Sequence, residues 1–151
     1  MPWAVLSGPV TRIPEEFVKE RTQGKLAELG YTRLNLRSAG SGGPDIVVRH
    51  RTHNVAFVIE CKGESGAVEE HTKSAVMDTN ILVALGQILI RFTVFNGKKY
   101  GLAFPATFRH RVLGKLSPAV VARLRLNLFF VSKDGRVEHL SPTEAKRLTL
   151  G

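Results

Sequence analysis

The segment PDIVVRHRTHNVAFVIECK, residues 44–62, decides the fold of this 151-residue chain. Two apolar stretches, Asp45–Val48 and Val55–Cys61, flank a polar connection centred on Thr52 and His53. The second stretch is almost continuously apolar and ends in charge, which is typical of a strand covered on both faces. The segment therefore predicts two neighbouring antiparallel strands.

A symmetric register of these two strands brings two acids together. It places Asp45 opposite Glu60, and directly opposite side chains share a face with Cβ atoms about 4.5–5.5 Å apart. Lys62 lies two residues beyond Glu60, so the strand period puts it on that face as well. A bulge would shift the register by one residue. The alternative interpretation is that Asp45 caps a loop while Glu60 and Lys62 are surface charges at a strand end.

Facing carboxylates suggest a cation site. Two such groups beside an apolar strand repel each other, which raises the pKa of one of them. Mg²⁺ removes the conflict, because it prefers oxygen and is commonly held by one or two carboxylates, water and substrate phosphate. The Cys61 carbonyl offers one more oxygen, and Lys62 is suited to hold an attacking water and offset charge on phosphorus. We expect Mg²⁺ as cofactor, with Mn²⁺ as a substitute.

Further elements precede and follow this hairpin. Pro14 and the two acids after it predict a helix that ends at Gly30. A short strand over 31–37, a glycine-rich loop over 38–44 and, after the hairpin, a helix over 74–92 are expected. The turn signal Asn96-Gly97 precedes a strand over 99–104, single or part of a hairpin. Beyond it we predict one or two short helices within 106–123, a hairpin of 126–132 and 137–140, and a last helical turn capped by Ser141.

The acid and lysine positions carry a family resemblance. Pro44-Asp45 and Glu60-Cys61-Lys62 resemble the PD-(D/E)xK signature of restriction-endonuclease-like nucleases, nearest to the Holliday-junction-resolvase, Mrr and RecB-like branches. Their shared core is similar to the order predicted over about 14–104: a helix, a three-stranded meander, a helix and a strand. The resemblance implies an α/β fold with a mixed central sheet, metal binding by Asp45 and Glu60, and Lys62 as the catalytic lysine. We expect one domain over 1–151, with a basic C-terminal extension over about 105–151.

The same relatives imply two further site residues. A glutamate that helps to bind the metal often comes from the first helix, where Glu20 has close to the usual spacing from Gly30 and Glu16 is the alternative. A glutamine often comes from the second helix, where Gln87 is the odd polar residue in an apolar run. Arg91 stands where RecB-like nucleases have a tyrosine. The alternative for Gln87 is a buried glutamine satisfied by backbone groups.

The charge balance favours a polyanionic partner. The chain has net charge +9 and a pI near 10.2. Residues 1–92 hold eleven basic and ten acidic residues, whereas residues 93–151 hold eleven basic and three acidic. Candidate phosphate contacts therefore lie in the C-terminal part: Arg109, Arg111, Lys115, Arg123 and Arg125.

The sequence also bears on the cellular compartment and on the function. The lone Cys61 favours a reducing cytoplasm, the apolar run 81–90 is too short to cross a bilayer, and no secretion signal is expected. We therefore expect no membrane partner. The hypothesis is a Mg²⁺-dependent nuclease that cleaves DNA, favoured over RNA, through a metal-activated water, with a homodimer considered because one small site cuts one strand. The alternatives are a non-catalytic nucleic-acid-binding domain of the same fold and a protein-interaction domain with incidental charge.

Overall fold

The computed structural model describes residues 12–33, 44–64, 70–93 and 97–149. Within these ranges the chain forms six strands, five α-helices and a short 3₁₀ turn over Ala106–Phe108. In chain order the main elements are α1 (Glu15–Glu28), β1 (Tyr31–Arg33), β2 (Ile46–His50), β3 (Ala56–Cys61), α2 (Glu70–Arg91), β4 (Lys98–Pro105), α3 (Arg109–Lys115), α4 (Pro118–Leu124), β5 (Leu126–Val131), β6 (Val137–Leu140) and α5 (Pro142–Leu148).

The six strands form one mixed sheet in the order β1-β2-β3-β4-β5-β6. β1, β2 and β3 pair antiparallel, β4 and β5 continue the sheet in parallel, and β6 pairs antiparallel with β5. Each parallel step needs a crossover, which α2 supplies before β4 and the short helices supply before β5. The expected α/β class, the mixed sheet and the element order are confirmed.

Helices cover both faces of the sheet. On one face α1 buries Phe17 and Val18 against β2 and β3. On the other face α2 to α5 surround a second apolar cluster that includes Phe104 and Phe130. All six residues of β3 are buried, as the continuous apolar pattern predicts.

The predicted end of α1 is confirmed. Gly30 follows the helix with φ +96°, a left-handed conformation that glycine adopts without the steric cost of a Cβ atom. β1 covers Tyr31–Arg33 of the predicted strand over 31–37. The rest of that prediction, and the glycine-rich loop up to residue 43, lie outside the described residues.

The strand after Gly97 is not half of a hairpin. Both of its edges pair with parallel strands, β3 on one side and β5 on the other, so no antiparallel neighbour fits there. Gly97 has φ +91° and occupies the predicted turn, while residues 94–96 lie outside the described part. The single-strand alternative is therefore correct.

The basic C-terminal extension contributes directly to this sheet. β5 pairs with β4 from Tyr100 to Pro105, and the predicted hairpin of β5 and β6 is confirmed. The predicted short helices are α3 and α4. Ser141 caps α5 in a reciprocal capping box with Glu144, as its position before Pro142 predicts.

α2 is longer than predicted and partly uncovered. It begins at Glu70 rather than at Ser74. Over Lys73–Arg91 the mean hydropathy of the helix is 1.2. By length and composition alone, this helix is long and apolar enough to cross a membrane. The shorter apolar run over 81–90 did not indicate this. Ile81, Ala84 and Ile88 are buried against the sheet, and its exposed apolar side chains are Leu82, Val83, Leu89 and Ile90.

Candidate metal centre

The register between β2 and β3 brings the two predicted acids together. Ile46 pairs with Ile59 and Val47 with Val58, which is the symmetric register without a bulge. One residue further along, the backbone N–H of Asp45 donates to Glu60 Oε2 at 3.3 Å. The backbone of Asp45 and the carboxylate of Glu60 therefore lie next to each other where β2 begins and β3 ends.

Asp45 also completes the hydrogen bonding of the strand end. Its Oδ2 accepts the backbone N–H of Cys61 at 2.8 Å, and its Oδ1 lies 3.3 Å from Lys19 Nζ. The side chain is 22% exposed, so it borders solvent. The Asp45 side chain thus bonds to the neighbouring strand β3, while its backbone contacts Glu60.

Glu60 is a buried acid and not a surface charge. Only 1% of the residue is exposed, and its Oε1 lies 3.8 Å from the Arg91 guanidinium. Burial, and after it the negative charge of Asp45, raise the pKa of Glu60, while Arg91 and Lys62 oppose that shift. The surface-charge alternative for Glu60 is therefore wrong.

Cys61 is the last residue of β3, and Lys62 follows it directly. The backbone N–H of Lys62 extends the pairing of β3 with β4 by donating to Ala103 O at 3.0 Å. Its half-buried side chain adds positive charge near Glu60. The Cys61 thiol is buried on the α1 face, and burial raises its pKa well above the usual value. Metal coordination by the Cys61 carbonyl stays a prediction.

The first helix reaches this site through a lysine. Lys19 Nζ lies 3.5 Å from Glu15, 3.9 Å from Glu16 and 3.3 Å from Asp45. Glu20 instead lines a separate cavity of about 530 Å³ between α1 and the β5–β6 turn. Of the two acids weighed from sequence, Glu16 is therefore linked to Asp45 by an ion-pair partner.

Gln87 lies on α2 one turn before Arg91, so the two residues share a face of the helix. Its Oε1 is buried and has no hydrogen-bond partner among the described residues. Backbone satisfaction of this oxygen, the alternative considered above, is therefore not found there. Arg91, one turn further along, contacts Glu60 through its guanidinium.

Most candidate phosphate contacts already pair with carboxylates. Arg109 makes a bidentate contact with Glu138 at 2.7 and 3.0 Å. Arg111 and Lys115 both contact Asp78 on α2. The remaining two candidates, Arg123 and Arg125, are exposed on and just after α4.

Sequence reasoning missed three charged residues near the site. Lys19 and Arg91 place positive charge beside the two acids. Glu64 links the segment before α1 to the 3₁₀ turn. Glu64 accepts the backbone N–H of Ile13 at 2.7 Å and the hydroxyl of Thr107 at 2.6 Å. The available signal was weak: Lys19 follows an acid by four residues, and Glu64 follows Lys62 by two.

The donor set fits a hard cation only in part. Within residues 12–33, 44–64, 70–93 and 97–149, no group of three or more His, Cys, Asp or Glu side chains is placed to hold a metal ion. The chain offers two adjacent carboxylates, and Mg²⁺ often takes no more than that from the protein because water and substrate phosphate complete its octahedron.

No protein-family model matches the chain, and comparison with curated proteins and with solved structures finds no match. The structure by itself shows an α/β protein with a six-stranded mixed sheet.

Proposed function

We propose that this protein is a Mg²⁺-dependent nuclease of the restriction-endonuclease-like, PD-(D/E)xK superfamily, and that it hydrolyses phosphodiester bonds in DNA. The observation that carries the proposal is the hydrogen bond from the Asp45 backbone to the Glu60 carboxylate, which joins two acids far apart in sequence at a strand end that continues into Lys62. Buried Glu60 beside a second carboxylate is an arrangement that a divalent cation stabilises.

Each residue of the site has a distinct role in this proposal. Asp45 and Glu60 would hold Mg²⁺, with the Cys61 carbonyl as a further oxygen ligand. Bound there, the ion polarises a phosphoryl oxygen and lowers the pKa of water. Lys62 would hold the attacking water and offset the negative charge that develops on phosphorus. Hydrolysis forms one bond from the water oxygen to phosphorus and breaks the bond from phosphorus to the leaving oxygen.

Two flanking residues would support the substrate. Gln87, with its buried and unpartnered Oε1, is the helix residue best suited to orient a water or a phosphate at this edge. Glu20 lines the separate cavity, so a role in metal binding would require its side chain to turn away from that cavity towards Asp45. Of Glu16 and Glu20, Glu16 is the better supported, because it shares Lys19 with Asp45.

Nucleic acid is the proposed substrate because of charge. The net charge of +9 favours a polyanion. Arg109, Arg111 and Lys115 pair with carboxylates, whereas exposed Arg123 and Arg125 have no carboxylate partner within the part of the chain that the structure describes. We also propose a cytoplasmic location and a homodimer, in which two such sites would cut two strands.

A second candidate is a non-catalytic nucleic-acid-binding domain of the same fold. One observation favours it: Lys19 pairs with Asp45 and Arg91 with Glu60, so basic side chains of the chain itself already offset both acids. In a domain that only binds nucleic acid, these two basic side chains would balance the charge of the acids without a metal ion.

A metal titration separates the two candidates. Purified protein is incubated with duplex, single-stranded, flapped and four-way DNA while Mg²⁺ or Mn²⁺ is raised, and both cleavage and gel retardation are measured. A nuclease gives cleavage that rises with the metal, whereas a binding domain gives retardation alone. The proposal fails if no DNA substrate is cut at any metal concentration by protein that binds DNA.

The matched variants are Asp45→Asn and Glu28→Gln. Asparagine keeps an oxygen that accepts the Cys61 N–H but removes the charge, so we expect the fold to persist and cleavage to fall by at least about 100-fold. Glu28 is exposed on α1, and its variant should cut DNA as the parent protein does. Undiminished cleavage by Asp45→Asn would exclude Asp45 from the reaction.

A further inference from the structure

Lys19 is surrounded by three acids of this site. Its ammonium lies 3.3 Å from Asp45 Oδ1, 3.5 Å from Glu15 Oε2 and 3.9 Å from Glu16 Oε1. Its side chain is 26% exposed. Burial by itself lowers the pKa of Lys19, but the charge of and hydrogen bond to Asp45, with the charges of Glu16 and Glu15, raise it overall. The Lys19 ammonium therefore supplies positive charge directly beside Asp45.

The position of this ammonium on Asp45 matters for metal binding. Asp45 Oδ2 already accepts the Cys61 N–H, so Oδ1 is the oxygen with more capacity for a cation. Lys19 contacts Oδ1. A divalent ion that binds Asp45 must therefore displace the ammonium or share one oxygen with it, and two cations at one oxygen repel each other.

Glu15 and Glu16 offer the displaced ammonium a second position. Both precede Lys19 by about one helical turn, and their carboxylates already lie within 3.9 Å of its Nζ. A lysine side chain is flexible along its four carbons, so it can exchange one carboxylate for another with a short movement. Lys19 then leaves Asp45 without losing all of its partners.

We propose that Lys19 is a built-in competitor for the metal site. Without metal it neutralises Asp45, and when a divalent cation binds it moves onto Glu15 and Glu16. The proposal rests on the proposed function, because it takes Asp45 and Glu60 as the metal ligands. Its consequence is that the metal affinity of this protein is set by α1 as well as by the ligands.

Removal of the competitor should strengthen metal binding. In Lys19→Gln no ammonium of residue 19 competes for Asp45, and we expect Mn²⁺ to bind about two- to fivefold more tightly, the range that corresponds to breaking one partly exposed ion pair. The double variant Glu15→Gln with Glu16→Gln should have the opposite effect. It removes the second position of the ammonium, so we expect Mn²⁺ binding about two- to fivefold weaker.

The experiment measures Mn²⁺ binding directly, without DNA, by titration calorimetry and by the electron paramagnetic resonance signal of free Mn²⁺. The parent protein is compared with Lys19→Gln, the double glutamine variant, Asp45→Asn and a control, Lys25→Gln. Lys25 lies on the same helix but lines the separate cavity that contains Glu20, so its variant should bind Mn²⁺ as the parent does. Far-ultraviolet circular dichroism verifies that each variant is folded.

The outcomes separate this inference from the proposed function. If Asp45→Asn loses Mn²⁺ binding while Lys19→Gln binds it no more tightly than the parent, the metal site stands and the competitor role is wrong. If Asp45→Asn binds Mn²⁺ as the parent does, the metal site itself is wrong. Should Lys19→Gln not fold, Lys19→Met, which retains the apolar stem, is measured in its place, and equal affinity there overturns the inference as well.

Discussion

The substitution Glu60→Gln tests whether the buried charge of Glu60 lowers the stability of the fold while it serves to bind a cation. Glu60 is 1% exposed and lies near the charge of Asp45, and its Oε1 lies 3.8 Å from the Arg91 guanidinium. Glutamine has nearly the same shape and keeps an oxygen that accepts the Asp45 N–H. The variant therefore removes a buried charge while the packing stays the same.

We expect Glu60→Gln to be more stable than the parent at neutral and alkaline pH. Because burial raises the pKa of Glu60, its ionised form costs free energy in the fold, and a neutral group in its place removes that cost, here about 1–2 kcal/mol near pH 8. For a chain of this length that corresponds to a rise in Tm of about 2–8 °C. Removal of the Arg91 contact works against the gain, but at 3.8 Å this contact is longer than a charge-assisted hydrogen bond.

The sign of the pH dependence follows from the raised pKa of Glu60. A carboxyl whose pKa is raised in the folded state stabilises the fold below its unfolded pKa, and that stability is lost as pH rises through the folded value. The parent should therefore match the variant near about pH 4 and become less stable than it at higher pH.

The assay is thermal and urea unfolding of both proteins across this pH range, with Glu28→Gln as the exposed control. Mg²⁺ at about ten times its dissociation constant should stabilise the parent by about 1.4 kcal/mol and leave Glu60→Gln unchanged. The same variant should not cleave DNA. A variant that is less stable than the parent near pH 8 would refute the view that Glu60 is a destabilising charge kept for binding a cation.

Three further substitutions test the local geometry by urea unfolding. Gly63→Ala should destabilise the protein by about 1–3 kcal/mol, because the added Cβ overlaps the backbone of Glu15, and unchanged stability would contradict this close approach. Arg125→Gly should stabilise it by about 0.5–1 kcal/mol, since Arg125 has φ +50°, and a loss of stability would show that its side chain contributes more than the strain costs. Ser141→Ala should cost about 1 kcal/mol through loss of the cap, whereas Ser141→Asp should restore most of it.

Much of the sheet could be predicted because its determinants are local. The connection between β2 and β3 is short, so the positions of the apolar residues fix both the pairing and its register. The same reasoning explains the end of α1 at Gly30 and the capping box at Ser141, where one or two residues control the backbone. At Gly97 the sequence left two alternatives open, because a turn signal there fits a hairpin and a crossover equally well, and the parallel pairing of β4 decided for a single strand.

The immediate surroundings of the acids could not be predicted in this way. Lys19 contacts Asp45 across 26 positions of sequence and Arg91 contacts Glu60 across 31, and these approaches depend on how α1 and α2 pack on opposite faces of the sheet. The pairing of Arg109 with Glu138 likewise depends on where α3 lies beside β6. Charge counts alone made this arginine a candidate for phosphate binding.

The amino-acid sequence by itself determined the strands, their register and therefore the meeting of Asp45 with Glu60, because strand alternation and a short connection are local properties of the chain. Only the tertiary structure decided that Glu60 is buried and that Lys19 and Arg91 offset the two acids. The physical reason is that burial and ion pairing depend on which helices cover the strand end, and that packing involves the whole chain.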